Sequence, residues 1–441
     1  MTMITKSLQI AAVIILLSTA LLSQPDGFWE GNITRQGKEW RVNVNIEDGA
    51  ATVDFVDLDV IDVAFPLLAD GNKIRLEKPQ PDGRPPIIFD GEAVGDTFAG
   101  SWSGLGVDGS FSLIKAEKKS IAFREEEVEF QNGDVRLSGT LLLPKGEGKF
   151  PAVIITHGSS PNERTTYRSW ARHFANNGIA ALIYDKRGSG RSTSNTRAAS
   201  MEDLADDAIA GLNYLKTRGD IDAKKIGVAG HSQGGWIAPL SAARSKDVAF
   251  IIASAAAGVT PAEQSIYHRA GVMRSQGMTE AEIEKATKLR EKLYDLNRKI
   301  LKNDGRYQQM RSEVSQELIA NSNERWFGPA ELPPQLAGDL PPLGALRLLF
   351  FDPVPIWEKL KIPAFVAWGG QDIVVPVAKS RRIIEQAQSK ARNKHLTIKV
   401  FPNADHSNNI VPANGEWDFP RVNTDMDRTM VEWTRKTTGH I

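Results

Sequence analysis

Cysteine is absent from this chain of 441 residues. That excludes a thiol nucleophile, a thiolate metal site and disulfide bracing. Net charge is absent too, since Lys plus Arg and Asp plus Glu each total 54. A balanced chain has no electrostatic reason to bind nucleic acid or an anionic membrane. His, Asp and Glu nowhere recur at metal-ligand spacing, so neither a metal nor another cofactor is expected. The apolar run near the N-terminus falls short of the roughly 20 residues a spanning helix needs. What remains is an ordinary globular composition on a chain long enough for two domains.

That run, "IAAVIILL" (Ile10 to Leu17), follows Lys6 and is followed by the small-residue triplet "STA" ending at Ala20. The layout is that of a secretory signal peptide over residues 1–23. It implies export to the periplasm or beyond, with no integral membrane span after cleavage. The opening "MTMIT" resembles the β-galactosidase leader of cloning vectors, which leaves the native first residues open.

Residues 25–117 read as an all-β domain. "WRVNVNI" alternates apolar and polar side chains, "EDG" turns, and "ATVDF" alternates again. Further turns fall at "ADGN", "PDGRPP" and "VDGS", and no amphipathic helix interrupts them. "GFWEG" and "GSWSG" share a W-x-G pattern. Matching ends of this kind suit the first and last strands of a small barrel or sandwich. The tryptophans are expected in its core rather than on a polymer-binding surface.

From residue 120 to 441 the pattern becomes α/β. "EEVEF" and "VRLSGTLLLP" form a hairpin around "QNGD". Then "FPAVIITHG", "GIAALIYD", "KIGVAG", "VAFIIASA", "IPAFVAWGG" and "HLTIKVF" are apolar strands separated by helices. Continuous apolar strands with helical crossovers mean a doubly wound, mostly parallel sheet covered on both faces. Residues of about 260–350 break the alternation. Ile283, Ala286, Leu289, Leu293, Leu296 and Ile300 form a helical stripe, and "PAELPPQLAGDLPP" follows with five prolines. The excursion begins and ends at carboxyl ends of strands, where ligands sit, so it is expected to be a helical cap.

"GHSQG" (Gly230 to Gly234) lies between a predicted strand and a predicted helix. There a G-x-S-x-G pentapeptide presents its serine on a strained turn, and Gly230 and Gly234 avoid collision with strand and helix. Ser232 is therefore the candidate nucleophile. It needs a base, and seven histidines are available. His406 in "FPNADHSNN" follows the last strand and is the candidate; His231 adjoins Ser232 but is expected to point away. His157, His173, His268, His395 and His440 receive no catalytic role. The base needs a carboxylate partner. Asp372 in "WGGQDIVVP" is the candidate, and Asp405, beside His406, is expected to shape a turn. Oxyanion donors, each contributing about 3–4 kcal/mol, are expected from the Gln233 amide and from "THGSS". Ser159 is assigned there, with Ser160 as its alternative. "RGSGRS" lacks the full nucleotide-binding register, so Asp185 and Arg187 are read as ties for the loop.

"HGSS", "YDKRGSGRS", "GHSQGG", "WGGQDIVVP" and "DHSN" together resemble the α/β-hydrolase superfamily. The nearest pattern is the branch of serine esterases, prolyl-oligopeptidase-like and serine-aminopeptidase-like proteins. The resemblance covers residues 120 to 441 and implies an acyl-enzyme mechanism on a small-molecule substrate. Carboxylic esters with short acyl chains are the expected substrates. The alternative is a serine peptidase, for which the cap offers Glu263, Glu280 and Glu282 as anchors for a free amine. A thioester or lactone hydrolase, and a non-catalytic binding protein on the same fold, rank below both. Apolar residues in "LGALRLLFF" are expected to line an acyl pocket.

Overall fold

The computed structural model describes residues 26–58, 60–80, 84–104, 107–118, 121–194, 199–412 and 421–440. They fall into two compact units that divide between Lys118 and Lys119. The signal-peptide reading lies at residues 1–23, outside the described residues.

The first unit is built from β1 (Gly27–Arg35), β2 (Lys38–Glu47), β3 (Ala50–Phe55), β4 (Val60–Phe65) and β5 (Leu67–Asp70). It continues with β6 (Lys73–Lys78), β7 (Ile87–Val94), β8 (Thr97–Gly104) and β9 (Val107–Ala116). Period-two patterning makes these strands: Trp40, Val42, Val44 and Ile46 of β2 are buried, while Arg41, Asn43 and Asn45 take the other face. All nine belong to one antiparallel sheet, ordered β4-β3-β2-β1-β9-β8-β7-β6-β5. The sheet curls on itself. Phe89 of β7 meets Phe65 of β4 at 5.9 Å and Phe55 of β3 at 6.4 Å, although these strands are not neighbours. The edge strands β4 and β5 follow one another around Pro66, whose carbonyl accepts from the Glu77 amide at 3.2 Å. The unit is therefore one sheet curled nearly into a barrel, not two sheets in a sandwich. Its interior is filled by rings, and each edge-to-face pair adds about 0.5–1.5 kcal/mol beyond burial.

One expectation is corrected here. Trp29 is on β1, but Trp102 is on β8, the penultimate strand. The partner that closes on β1 is β9, which turns Phe111 and Leu113 inward. The repeated W-x-G pattern therefore does not mark the two ends.

The second unit has eight strands: β10 (Phe123–Asn132), β11 (Val135–Pro144), β12 (Phe150–Thr156), β13 (Ala180–Tyr184), β14 (Ile221–His231), β15 (Phe250–Ser254), β16 (Ala364–Gly369) and β17 (Leu396–Phe401). Its helices are α1 (Arg168–Asn176), α2 (Met201–Lys216), α3 (Gly234–Arg244), α4 (Pro261–Ser275), α5 (Glu280–Leu301), α6 (Tyr307–Asn321), α7 (Leu343–Leu349), α8 (Val354–Trp357), α9 (Val377–Ala391) and α10 (Thr424–Thr438). The strand order is β10-β11-β13-β12-β14-β15-β16-β17. β10 and β11 form an antiparallel hairpin, β11 meets β13 antiparallel, and every later pairing is parallel. All seven residues of β12 are buried. Ala152 and Ile154 belong to one buried cluster with Leu212 of α2, Ile237 of α3 and Ile384 of α9. Val153 and Ile155, on the opposite face, belong to a second buried cluster with Phe174 of α1 and Met430 of α10. Two-sided burial is why these strands read as continuous apolar runs.

Chain order places β13 on one side of β12 and β14 on the other. The switch leaves a crevice beyond the carboxyl ends of β12 and β14. Between β15 and β16 the chain makes the excursion of α4 to α7. It has its own core, in which Ile283, Leu289 and Leu296 of α5 meet Val314 and Leu318 of α6 and Trp326. Two capping boxes start its helices, Thr260 with Glu263 and Thr279 with Glu282. Leu346 of "LGALRLLFF" enters this core, and Phe350 packs on Tyr294 and under Arg298. These residues hold the excursion together.

Candidate active site

β14 runs into α3 through a turn with Ser232 at its tip, at φ 55°. For a residue with a Cβ this left-handed conformation costs about 1–2 kcal/mol. The Ser232 amide donates to the Ser254 carbonyl (2.9 Å), and the Ser232 carbonyl accepts from the Gly235 amide (2.9 Å). Only glycine fits the flanks. A Cβ at Gly230 would land on the Gly234 carbonyl, and one at Gly234 would sit 2.8 Å from Thr156 Oγ1.

The loop after β17 brings His406 to this turn. His406 Nε2 lies 3.0 Å from Ser232 Oγ, and His406 Nδ1 lies 2.8 Å from Asp372 Oδ2. Asp372 stands just past β16 with a fully buried side chain. Its other oxygen, Oδ1, accepts from the amides of Val374 (2.7 Å) and Val375 (2.8 Å), which fixes the carboxylate plane. A carboxylate only accepts, so Nδ1 carries the imidazole proton and Nε2 is free to accept from Ser232. The approach of the two loops depends on "GG": a Cβ at Gly370 would lie 2.8 Å from the Pro402 carbonyl. Asp405 faces elsewhere, accepting from the Asn409 amide (2.8 Å) and side chain (3.3 Å), and so braces the turn carrying His406.

Beside Ser232, the Gln233 amide lies at the start of α3, where the helix dipole favours negative charge. Across the crevice, the segment after β12 carries Ser159 and Ser160. Among the described residues the amides of Gln233, Ser159 and Ser160 have no acceptor, whereas the Gly158 amide donates to the Tyr167 hydroxyl (2.9 Å). His157 is buried with Nε2 on the Tyr184 carbonyl at 2.5 Å, and burial pushes it down to about 4. It is a neutral strut of this loop.

Three neighbours escaped the sequence reading. The His231 ring does not point away; it packs 5.1 Å from the His406 ring, and burial pushes it down to about 3. Tyr267 of α4 donates to the Asp372 carbonyl (3.3 Å), so the excursion touches the loop that holds the acid. His268, next on α4, is lowered by burial, with Arg269 and His406 as lesser causes, while Asp372 opposes. No pattern in the chain links Tyr267 and His268 to the site, because helices of the excursion carry no strand register.

Residues 149–313 match the family model described as serine aminopeptidase, S33. The strand order, the serine turn and this match agree. The second unit has the α/β-hydrolase fold. Among curated relatives of the chain, esterase EstD of Thermotoga maritima is 28% identical over 293 residues, covering 65% of this chain. That alignment spans 60% of the length of EstD. An uncharacterised 31.7 kDa protein of Escherichia coli is 24% identical over 57% of this chain and 82% of its own. Among solved structures, the Pyrococcus furiosus esterase Pf2001 matches at TM-score 0.46 and 18% identity, covering 72% of this chain and 92% of that one. Among the described residues no group of three or more His, Asp or Glu is arranged to hold a metal, and no helix is long and apolar enough to cross a membrane.

Proposed function

We propose that this α/β-hydrolase cleaves carboxylic esters of small molecules with short acyl chains. The observation that carries the reading is the unbroken hydrogen-bond chain from Asp372 through His406 to Ser232 on its positive-φ turn. Ser232 Oγ attacks the ester carbonyl while His406 Nε2 takes the hydroxyl proton. Asp372 holds the ring and stabilises the imidazolium. The amides of Gln233 and Ser159 donate to the oxyanion, with Ser160 as the neighbouring alternative. As the intermediate collapses, the ester C–O bond breaks and His406 returns the proton to the leaving alcohol. Water, deprotonated by His406, then attacks the acyl-enzyme. The acid leaves and Ser232 regains its proton.

The likeness to EstD, an esterase, supports the ester reading. The family description favours a second one, an aminopeptidase. The carboxylates that could anchor a free amine are otherwise engaged. Glu263 caps α4 and pairs with Lys379 (2.7 Å), Glu280 pairs with Arg274 (2.6 Å), and Glu282 caps α5 and pairs with Arg325 (2.5 Å). We therefore place esters first. Export by the leader over residues 1–23 remains part of the proposal, checked by N-terminal sequencing of the mature protein.

The test is fluorophosphonate labelling of wild type and Ser232→Ala, alongside p-nitrophenyl acetate, p-nitrophenyl octanoate and aminoacyl anilides. The expected result is labelling at Ser232 and turnover of acetate above octanoate, both lost in the variant. Anilide turnover without ester turnover would establish the peptidase instead. Absence of labelling would remove the nucleophile from Ser232.

A further inference from the structure

The segment "DKR" at 185–187 places three charges in a row inside the protein, and they meet different fates. Asp185 accepts from Arg164 (Nη2 to Oδ2, 3.0 Å; Nε to Oδ1, 3.2 Å) and from two backbone amides. Arg187 forms a two-pronged pair with Asp207 at 2.6 and 2.7 Å. Lys186 is only 2% exposed, yet among the described residues no carboxylate pairs with it. Its ammonium donates to the Gly158 carbonyl (2.7 Å), the Gln233 side-chain oxygen (2.8 Å) and the Ser160 carbonyl (3.3 Å). Burial pushes this lysine down to about 8, which leaves it charged at neutral pH.

Those acceptors belong to the two segments that carry the free amides. A trans peptide is planar, with its C=O and N–H on opposite sides. The carbonyl of Gly158 and the N–H of Ser159 share one peptide unit. When Lys186 holds that carbonyl, the Ser159 N–H is turned to the side away from the lysine, and the ammonium polarises the unit so that the N–H donates more strongly. No such hold acts on the peptide that carries the Ser160 N–H, whose carbonyl is that of Ser159. The bond to the Gln233 side chain ties the second amide-bearing residue to the same cation.

We propose that Lys186 is a positioning residue of the oxyanion hole: it joins its two halves, orients the Ser159 N–H, and sets an unneutralised positive charge behind the developing oxyanion. The inference rests on the acyl-transfer reading of the preceding section. Charge placed before reaction begins needs no reorganisation when the carbonyl oxygen becomes negative.

The test uses the full chain at pH 7, comparing wild type, Lys186→Met and Lys186→Gln. Removing one oxyanion donor typically lowers kcat about 10²–10³-fold. Lys186→Met, which misaims a donor without deleting it, is expected to lower kcat about 30–100-fold with KM within threefold. Affinity for a trifluoromethyl ketone, which forms an anionic hemiketal on Ser232, should fall in parallel. Lys186→Gln retains a neutral donating NH₂ group and should recover part of the loss. The melting temperature should stay within a few degrees, because releasing a buried charge offsets the lost hydrogen bonds. A folded Lys186→Met with kcat within twofold of wild type overturns the proposal. So does a loss that tracks melting temperature in both variants, or failure of both to fold, since either makes Lys186 a structural residue. Wild type that neither labels nor cleaves esters would refute the acyl-transfer reading itself, a result distinct from an active wild type indifferent to Lys186.

Discussion

Asparagine at position 372 is the sharpest test of the proposed triad, because the surrounding bonds dictate how it would sit. Asp372 Oδ1 accepts two backbone amides, from Val374 and Val375, at 2.7 and 2.8 Å. In Asp372→Asn the amide oxygen must keep that position, since an NH₂ group there would face two donors. The NH₂ is then forced toward His406 Nδ1, which must become an acceptor. The imidazole proton moves to Nε2, the atom 3.0 Å from Ser232 Oγ that has to accept the serine proton. The substitution is nearly isosteric and leaves the shape of the site intact, yet it selects the wrong tautomer. The expected loss in kcat is about 10⁴-fold, or about 5 kcal/mol of transition-state stabilisation. That is less than the roughly 10⁶-fold expected for Ser232→Ala or His406→Ala. Asp405→Asn, whose partners are the amide and side chain of Asn409, should leave kcat within a few-fold. The assay is p-nitrophenyl acetate turnover on protein of matched melting temperature. An Asp372→Asn enzyme within tenfold of wild type, or an Asp405→Asn enzyme as damaged as Asp372→Asn, would refute the reasoning.

Gly230→Ala drives a Cβ into the Gly234 carbonyl, backbone against backbone, and should destabilise by about 3 kcal/mol and cut fluorophosphonate labelling about 100-fold. Gly219→Ala, where the added methyl meets nothing within 4 Å, should change stability by less than about 0.5 kcal/mol when both variants are unfolded in urea. His157 supplies a pH dependence. Its folded pKa is depressed to about 4, so below pH 6.5 the unfolded chain takes up a proton that the folded one does not, and stability falls with pH. The slope approaches about 1.4 kcal/mol per pH unit down to about pH 4. Urea midpoints at pH 7, 5.5 and 4.5 should converge between wild type and His157→Gln as pH drops; parallel curves would mean His157 titrates normally.

What was legible in the sequence is what backbone geometry imposes locally. Strands buried on two faces must be apolar throughout, so the doubly wound sheet declared itself in runs such as "PAVIIT". A positive-φ serine between a strand and a helix needs glycine two residues either side, so the turn was visible in "GHSQG". Alternation in the first unit reported which face each strand buries. It could not report that the sheet curls until Phe55 and Phe65 meet Phe89, because closure depends on twist accumulated over nine strands. His231 was misjudged for a related reason: the strained turn after it rotates the next residues, so simple strand alternation no longer predicts which ring meets His406.

Lys186 was illegible for a deeper reason. Two of its three acceptors are backbone carbonyls, which every residue type supplies, and they lie 26 and 28 positions away along the chain. A buried cation is ordinarily costly unless a carboxylate meets it, and the residues on either side of Lys186 follow that rule. Carbonyl dipoles satisfy the ammonium's hydrogen bonds but leave its net charge in place. A fold selected for stability alone would gain by putting a carboxylate at this point or an apolar side chain in place of the lysine. A carboxylate there would cancel the field at the proposed oxyanion site, and an apolar residue would release the Gly158–Ser159 peptide. An unpaired cation is the arrangement that serves a site where negative charge exists only during the reaction, so its cost to folding is itself an argument for its part in the chemistry.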